Sequence, residues 1–166
     1  MKIVAFFGSL LGLIIIAIVC TFFNYKFSMG CSDHLKRAAD ANTIETAEVE
    51  LRTALAYMQV NDLTHGHVSI FLKQPKNDIG FWYTNLSQTL AELEIVPDSA
   101  TQLEKSNVLM KLRETILDET QYGTEVTTPS WVSAHPHNGT IVFLSIMLGL
   151  ICFVSGCMWC ADIGVW

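Results

Sequence analysis

Two uncharged apolar stretches at opposite ends of the chain restrict its fold more than any other feature. Residues 3–23, IVAFFGSLLGLIIIAIVCTFF, carry no charged side chain. As a helix rising 1.5 Å per residue, a stretch of this length reaches roughly 31 Å, about the thickness of a bilayer's hydrocarbon core. Residues 141–160, IVFLSIMLGLICFVSGCMWC, form a second uncharged run of similar length, and no third segment approaches it. The sequence therefore predicts transmembrane helices over 1–23 and 141–160, a loop domain over 24–140 and a short tail over 161–166. The 51% hydrophobic content of the 166 residues is concentrated in the two spans, unlike the even spread of a soluble domain.

A cleaved leader fits the first stretch poorly. The apolar run exceeds a usual signal-peptide core, and NYKFSMGCS after it lacks a small-x-small site. Lys26 separates Cys31 from the apolar segment, which argues against a lipoprotein signal. A retained anchor with a short N-terminus places both termini in the cytoplasm and the loop outside, in a plasma or inner membrane. Lys26, Lys36 and Arg37 beside the membrane do not decide the orientation, because long loops escape the basic-residue rule. Phe22, Phe23, Tyr25, Phe27, Trp131, Trp159 and Trp166 mark the interfaces.

The loop holds 15 acidic residues against 9 Lys and Arg. This balance makes nucleic acid an unsuitable partner and anionic lipid surfaces poor ones. Only Cys31 of the five cysteines lies clearly in the loop, so the domain is not a disulfide-stapled scaffold. Apolar residues at Ile44, Ala47, Leu51, Ala54, Leu55 and Met58 recur at helical spacing and predict one long helix over about 32–60, with Met29 and Gly30 as the break from the span. Glu45, Glu48, Glu50 and Arg52 are assigned to its outer surface. Gly66 and Pro75 interrupt the period through a connector, and Asn77 or Asp78 caps a helix over 78–94. Ser99 with Gln102 predicts a capping box for a helix over 99–121, followed by a linker over 123–140. The expected fold is all-α: two transmembrane helices in a hairpin, flanking a small extracytoplasmic helical bundle.

Candidate sites are few. Cys157 and Cys160 form C-x-x-C, but at the C-terminal end of an apolar helix, where the negative dipole end disfavours a thiolate, and no second pair completes a zinc shell. Small packing residues, or acylation sites at the membrane edge, suit them better. His65, His67, His135 and His137, with Cys31-x-x-His34, would make a metal centre only if the fold gathered them. Gly8 and Gly12, extended by Ala5, and Ser145, Gly149, Cys152 and Gly156 form small-residue stripes that let helices approach closely. No Asp, Glu, Lys, Arg or His lies within 3–23 or 141–160, which argues against a proton or ion path built by this chain alone. Phe81, Trp82 and Tyr83 cannot all face one core, because neighbours on a helix point about 100° apart, so one ring is a candidate partner contact. Asn85 and Asn138 each begin a glycosylation sequon, and neither is assigned a role.

Catalytic motifs are missing: there is no H-E-x-x-H, P-loop, dinucleotide fingerprint or G-x-S-x-G. The expectation is a non-enzymatic membrane protein without a cofactor, an accessory, scaffold or assembly subunit partnered by membrane lipid and by other membrane protein subunits or copies of itself. Two alternatives are a sensory receptor acting through a separate transducer, since only six residues follow Cys160, and a metal-handling protein using the histidine pairs.

Overall fold

The computed structural model describes residues 2–70, 73–121 and 123–162. Among these, 74% are helical and 6% are in strand, so the protein is mostly helical. Helix α1 (Lys2–Phe27) leads without a break into a π-turn at Ser28–Ser32 and then α2 (Asp33–Ala39). Helices α3 (Ile44–Val60), α4 (Ile79–Glu94) and α5 (Gln102–Ile116) follow, then a hairpin of β1 (Leu117–Thr120) and β2 (Gly123–Val126), and last α6 (Asn138–Asp162).

The two ends supply helices long and apolar enough to cross a membrane. Only 6% of each apolar window is buried, which separates them from the core helix of a soluble domain. Outward-facing Ile18, Phe22, Phe143 and Phe153 leave an apolar surface suited to lipid rather than water, which supports a membrane location. The two helices lie antiparallel: Phe6 packs on Gly156 and Trp159, Gly12 faces Leu148, and Phe23 stacks on His137.

Where a break at Met29 and Gly30 was expected, the helix widens by one π-turn instead. Such turns accommodate a local misfit without ending the hydrogen-bond ladder. Here the misfit is a close approach, since a Cβ on Gly30 would overlap the ring of Tyr57 from α3. Phe27, Cys31, Leu35 and Ala38 all turn into the bundle core on the rod that began as α1.

The single helix expected over 32–60 is two helices. Asp40 to Thr43 form a turn, and Thr43 adopts extended backbone as the cap of α3, its hydroxyl accepting the Thr46 N–H at 3.2 Å. A threonine cap competes effectively with helix continuation, and apolar periodicity alone does not register it. Small residues at Ala38, Ala47 and Ala54 are fully buried where α2 and α3 fold back on each other. Glu50, assigned to the solvated surface from sequence, is buried: its carboxylate accepts from His34 Nδ1 at 2.6 Å and from the Arg37 guanidinium at 2.5 Å. It sits three residues after Ala47 and four before Ala54, on the core stripe itself.

Helix α4 starts at Asp78, whose carboxylate accepts the Phe81 N–H at 3.1 Å, and buries Ile79, Trp82, Leu86 and Leu93. The box that opens α5 is Thr101 with Glu104, two residues later than the expected Ser99 and Gln102. The Thr101 N–H, then its hydroxyl, holds the Glu104 carboxyl below its ordinary range. Helix α5 stops at Ile116 rather than near 121, and the following residues pair from Leu117 with Val126 to Thr120 with Gly123. Gly123, at φ +124°, takes a conformation that side-chain-bearing residues rarely adopt and closes the hairpin. The region expected as a linker over 123–140 thus contains β2, a 3₁₀ turn at Val132–Ala134 and the first turn of α6.

A methyl at position 30 must displace Tyr57 or the rod. Gly30→Ala is expected to cost about 1–3 kcal/mol, the range for overpacking a core, in detergent unfolding curves. Tyr57→Ala in the same chain should relieve most of that penalty; equal losses in both backgrounds would refute the overlap. Glu50→Ala, which strands two donors, is expected to cost about 1–3 kcal/mol, whereas Arg37→Ala, at a largely exposed guanidinium, should cost under about 1 kcal/mol.

Candidate functional site

Several polar side chains lie where the bundle meets the spans. The connector after α3 folds over this junction: Val68 N–H donates to the Asn77 carbonyl at 3.0 Å and Ile79 N–H to that of Gly66 at 2.9 Å. Gly66, at φ +94°, makes the reversal possible. From the opposite side Asn138, the first residue of α6, donates its Nδ2 to the Val68 carbonyl at 3.0 Å and ties the connector to the second span. Ser133 donates to Asn24 Oδ1 and ties the segment before α6 to the first span. Beside Asn138 opens a cavity of about 420 Å³, with Lys76, Trp131 and Val142 in its wall.

The histidines separate into different surroundings. His65 is exposed, with Nδ1 3.8 Å from Asp62 and 3.1 Å from the Thr64 hydroxyl. His135 comes beside it, its ring 3.7 Å from where a Gly66 Cβ would lie. Burial lowers the His135 pKa from its ordinary value; Asp62 opposes this, and His65 and His137 add to it. His137 stacks on Phe23 at 6.1 Å, and the His67 backbone bridges to Asp78. Cys31 is fully buried in the core, and its neighbour in the motif, His34, is engaged by Glu50. Among the described residues no three His, Cys, Asp or Glu side chains gather closely enough to hold a metal ion. The fold therefore brings His65, His135 and His137 into electrostatic contact without making them a ligand set.

The small-residue stripes divide as well. Gly12 and Gly156 lie in the contact between α1 and α6: a Cβ on Gly12 would come 2.9 Å from Leu148, and one on Gly156 would come 3.2 Å from Phe6. Gly8 and Gly149 face open space, with nothing within 4 Å. Ser145 bonds back to the Ile141 carbonyl of its own helix at 2.7 Å. Two serines absent from the sequence-based candidates, Ser9 and Ser155, are the buried ones, each bonded to a carbonyl of its own helix. Serine mid-span, close to the glycines, was the available signal.

Of the three adjacent rings, Trp82 is buried, Tyr83 accepts a hydrogen bond from Gln59 Nε2 at 2.8 Å, and Phe81 is 64% exposed. Cys157 is exposed and Cys160 partly buried near the end of α6, both as free thiols. Trp159 packs against Phe6 and Phe7, while Trp166 lies outside the described residues. Asn138 is buried, so the folded protein does not present it as a glycan acceptor.

A histidine whose folded-state pKa is depressed binds fewer protons folded than unfolded, so its contribution to stability is present above about pH 6.5 and lost as pH falls through the folded value. Thermal unfolding in detergent should therefore move to lower temperature between pH 7.5 and 5.5, by less in His135→Gln. An identical pH slope in the variant would remove His135 as its source. No family model, no curated protein and no solved structure matches the chain.

Proposed function

We propose that this is a non-enzymatic, two-span membrane protein that acts as an accessory, scaffold or assembly subunit, held to other membrane protein subunits or to copies of itself through its spans. The spans form a hairpin, the bundle is extracytoplasmic, and both termini lie in the cytoplasm of a plasma or inner membrane. The observation that carries this reading is the unfilled half of the glycine stripes. Pairing of α1 with α6 occupies Gly12 and Gly156, while Gly8 and Gly149 offer backbone with nothing packed on it. In lipid, helix association is driven by close van der Waals packing rather than by hydrophobic exclusion, so exposed small residues are where a further helix gains most. Exposed Phe81 gives the bundle a second contact point for such a partner. Exposed Cys157, near the end of α6, suits acylation at the cytoplasmic surface.

Because nothing lies near Gly8 or Gly149, Gly8→Leu and Gly149→Leu should leave the fold of one chain intact. Native purification in mild detergent with mass analysis is expected to recover the wild type as a defined oligomer or with a stoichiometric membrane partner, and both variants with that association weakened at least about tenfold, the equal of 1.4 kcal/mol. A wild type recovered as a monomer without partners, or leucine variants that assemble as well as it does, would sink the proposal.

A further inference from the structure

The cavity beside Asn138 lies where α6 leaves the bundle and its apolar run begins, the level of the membrane interface if α6 spans the bilayer. Its wall combines three chemistries. Lys76 is exposed and, among the described residues, forms no ion pair with an acid and is the only charged side chain in the wall. Trp131, 66% exposed, and Ile70, 46% exposed, present apolar surface to the same level, and Val142 continues it down α6 toward outward-facing Phe143 and Ile146. Asn138 is 6% exposed, and its Oδ1 is buried with no donor. Flipping the amide does not cure this, because Nδ2 is the atom that satisfies the Val68 carbonyl and the flip would set oxygen against oxygen. An acceptor buried without a donor carries a free-energy penalty that an incoming N–H or O–H removes.

We infer that this cavity is a lipid-headgroup site, taking a glycerophospholipid whose headgroup carries both a phosphodiester and a hydrogen-bond donor, with its acyl chains lying along α6. Lys76 meets the phosphate as a charge-assisted donor. The headgroup ammonium or hydroxyl supplies the donor that Asn138 Oδ1 lacks, and the exposed Trp131 ring has room to turn as the headgroup enters. Amphipathic rings of this kind suit the headgroup level of a bilayer. Phosphatidylethanolamine and phosphatidylglycerol meet both requirements; phosphatidylcholine meets only the first, since its quaternary nitrogen has no hydrogen to give. The loop's net acidity does not enter the cavity itself, whose wall carries Lys76 and no acidic side chain among the described residues. The site needs the membrane placement of α6 and is independent of whether the spans assemble with a partner.

The test is native mass spectrometry of the full chain released from phosphatidylcholine nanodiscs doped with phosphatidylethanolamine or phosphatidylglycerol. The wild type is expected to retain either donor-bearing lipid roughly five- to tenfold over phosphatidylcholine, the range that one net hydrogen bond supplies. Lys76→Ala, at an exposed side chain, should lower retention of every lipid while keeping the headgroup preference. Asn138→Ala should abolish the preference among headgroups; unfolding of that variant would leave Lys76→Ala and the wild-type preference as the deciding measurements. Equal retention of all three headgroups by the wild type, or retention unchanged in Lys76→Ala, would overturn the site. Thermal stabilisation of the detergent-solubilised protein by inorganic phosphate alone, equal to that given by the lipid, would overturn a lipid as its occupant. Failure of the chain to enter nanodiscs at all would instead refute the membrane placement beneath both proposals.

Discussion

Because the backbone hydrogen bonds of α1 continue through the π-turn at Ser28–Ser32 into α2, the first span and the centre of the bundle are one rod. Phe27, Cys31 and Leu35 therefore reach the core from an element already anchored at its other end, and α3 packs directly on that rod through Tyr57 over Gly30. The remaining elements take their positions from this. Helix α4 closes on the same surface through Trp82, whose ring lies 6.5 Å from Phe27, and α5 adds Leu112 and Ile116. A flexible joint at Gly30 would have left the bundle free to turn relative to the spans; a tight contact at the same glycine couples them.

The junction between the spans and the bundle is held by polar contacts as well as apolar ones. Asn138 holds Val68, Ser133 holds Asn24, and the Phe23 and His137 rings stack between them. Side-chain bonds to backbone in this region fix a connector that has little regular structure of its own. The same bonds expose the chemistry on which the lipid proposal rests, because an asparagine that spends its amide nitrogen on a connector carbonyl has one acceptor left over. His135 sits in the adjacent half-buried space near His65, His137 and Asp62, where burial lowers its pKa.

Much of the bundle was legible because its helices follow the apolar spacing closely. Ala47, Leu51, Ala54, Leu55 and Met58 are on the buried face of α3 where periodicity puts them, and Ile44, the first of that series, is only partly covered. The errors came at boundaries. Thr43 and Thr101 cap helices through single hydroxyls, and a run without glycine or proline gave no warning of the first. The hairpin from Leu117 to Val126 depends on pairing across the chain and on a positive φ at Gly123, which local helical spacing cannot register. Glu50 was misplaced because its charge outweighed its position on the core stripe. The candidate cavity had no sequence signal: Lys76 lies far along the chain from Trp131 and Asn138, and only the fold brings them together.

What the sequence by itself determined follows from amounts of apolar surface and its period. Two uncharged runs of bilayer length admit little but helices there, since a spanning backbone must satisfy its own hydrogen bonds, and three apolar stripes between them require helices that cover one another. Only the tertiary structure decided which glycines are filled and which stay open, which of Phe81, Trp82 and Tyr83 faces outward, and which polar atom at the junction is left unpaired. Those outcomes depend on which surfaces meet. A glycine or an asparagine has the same composition and the same neighbours in sequence whether or not another part of the chain arrives to occupy it.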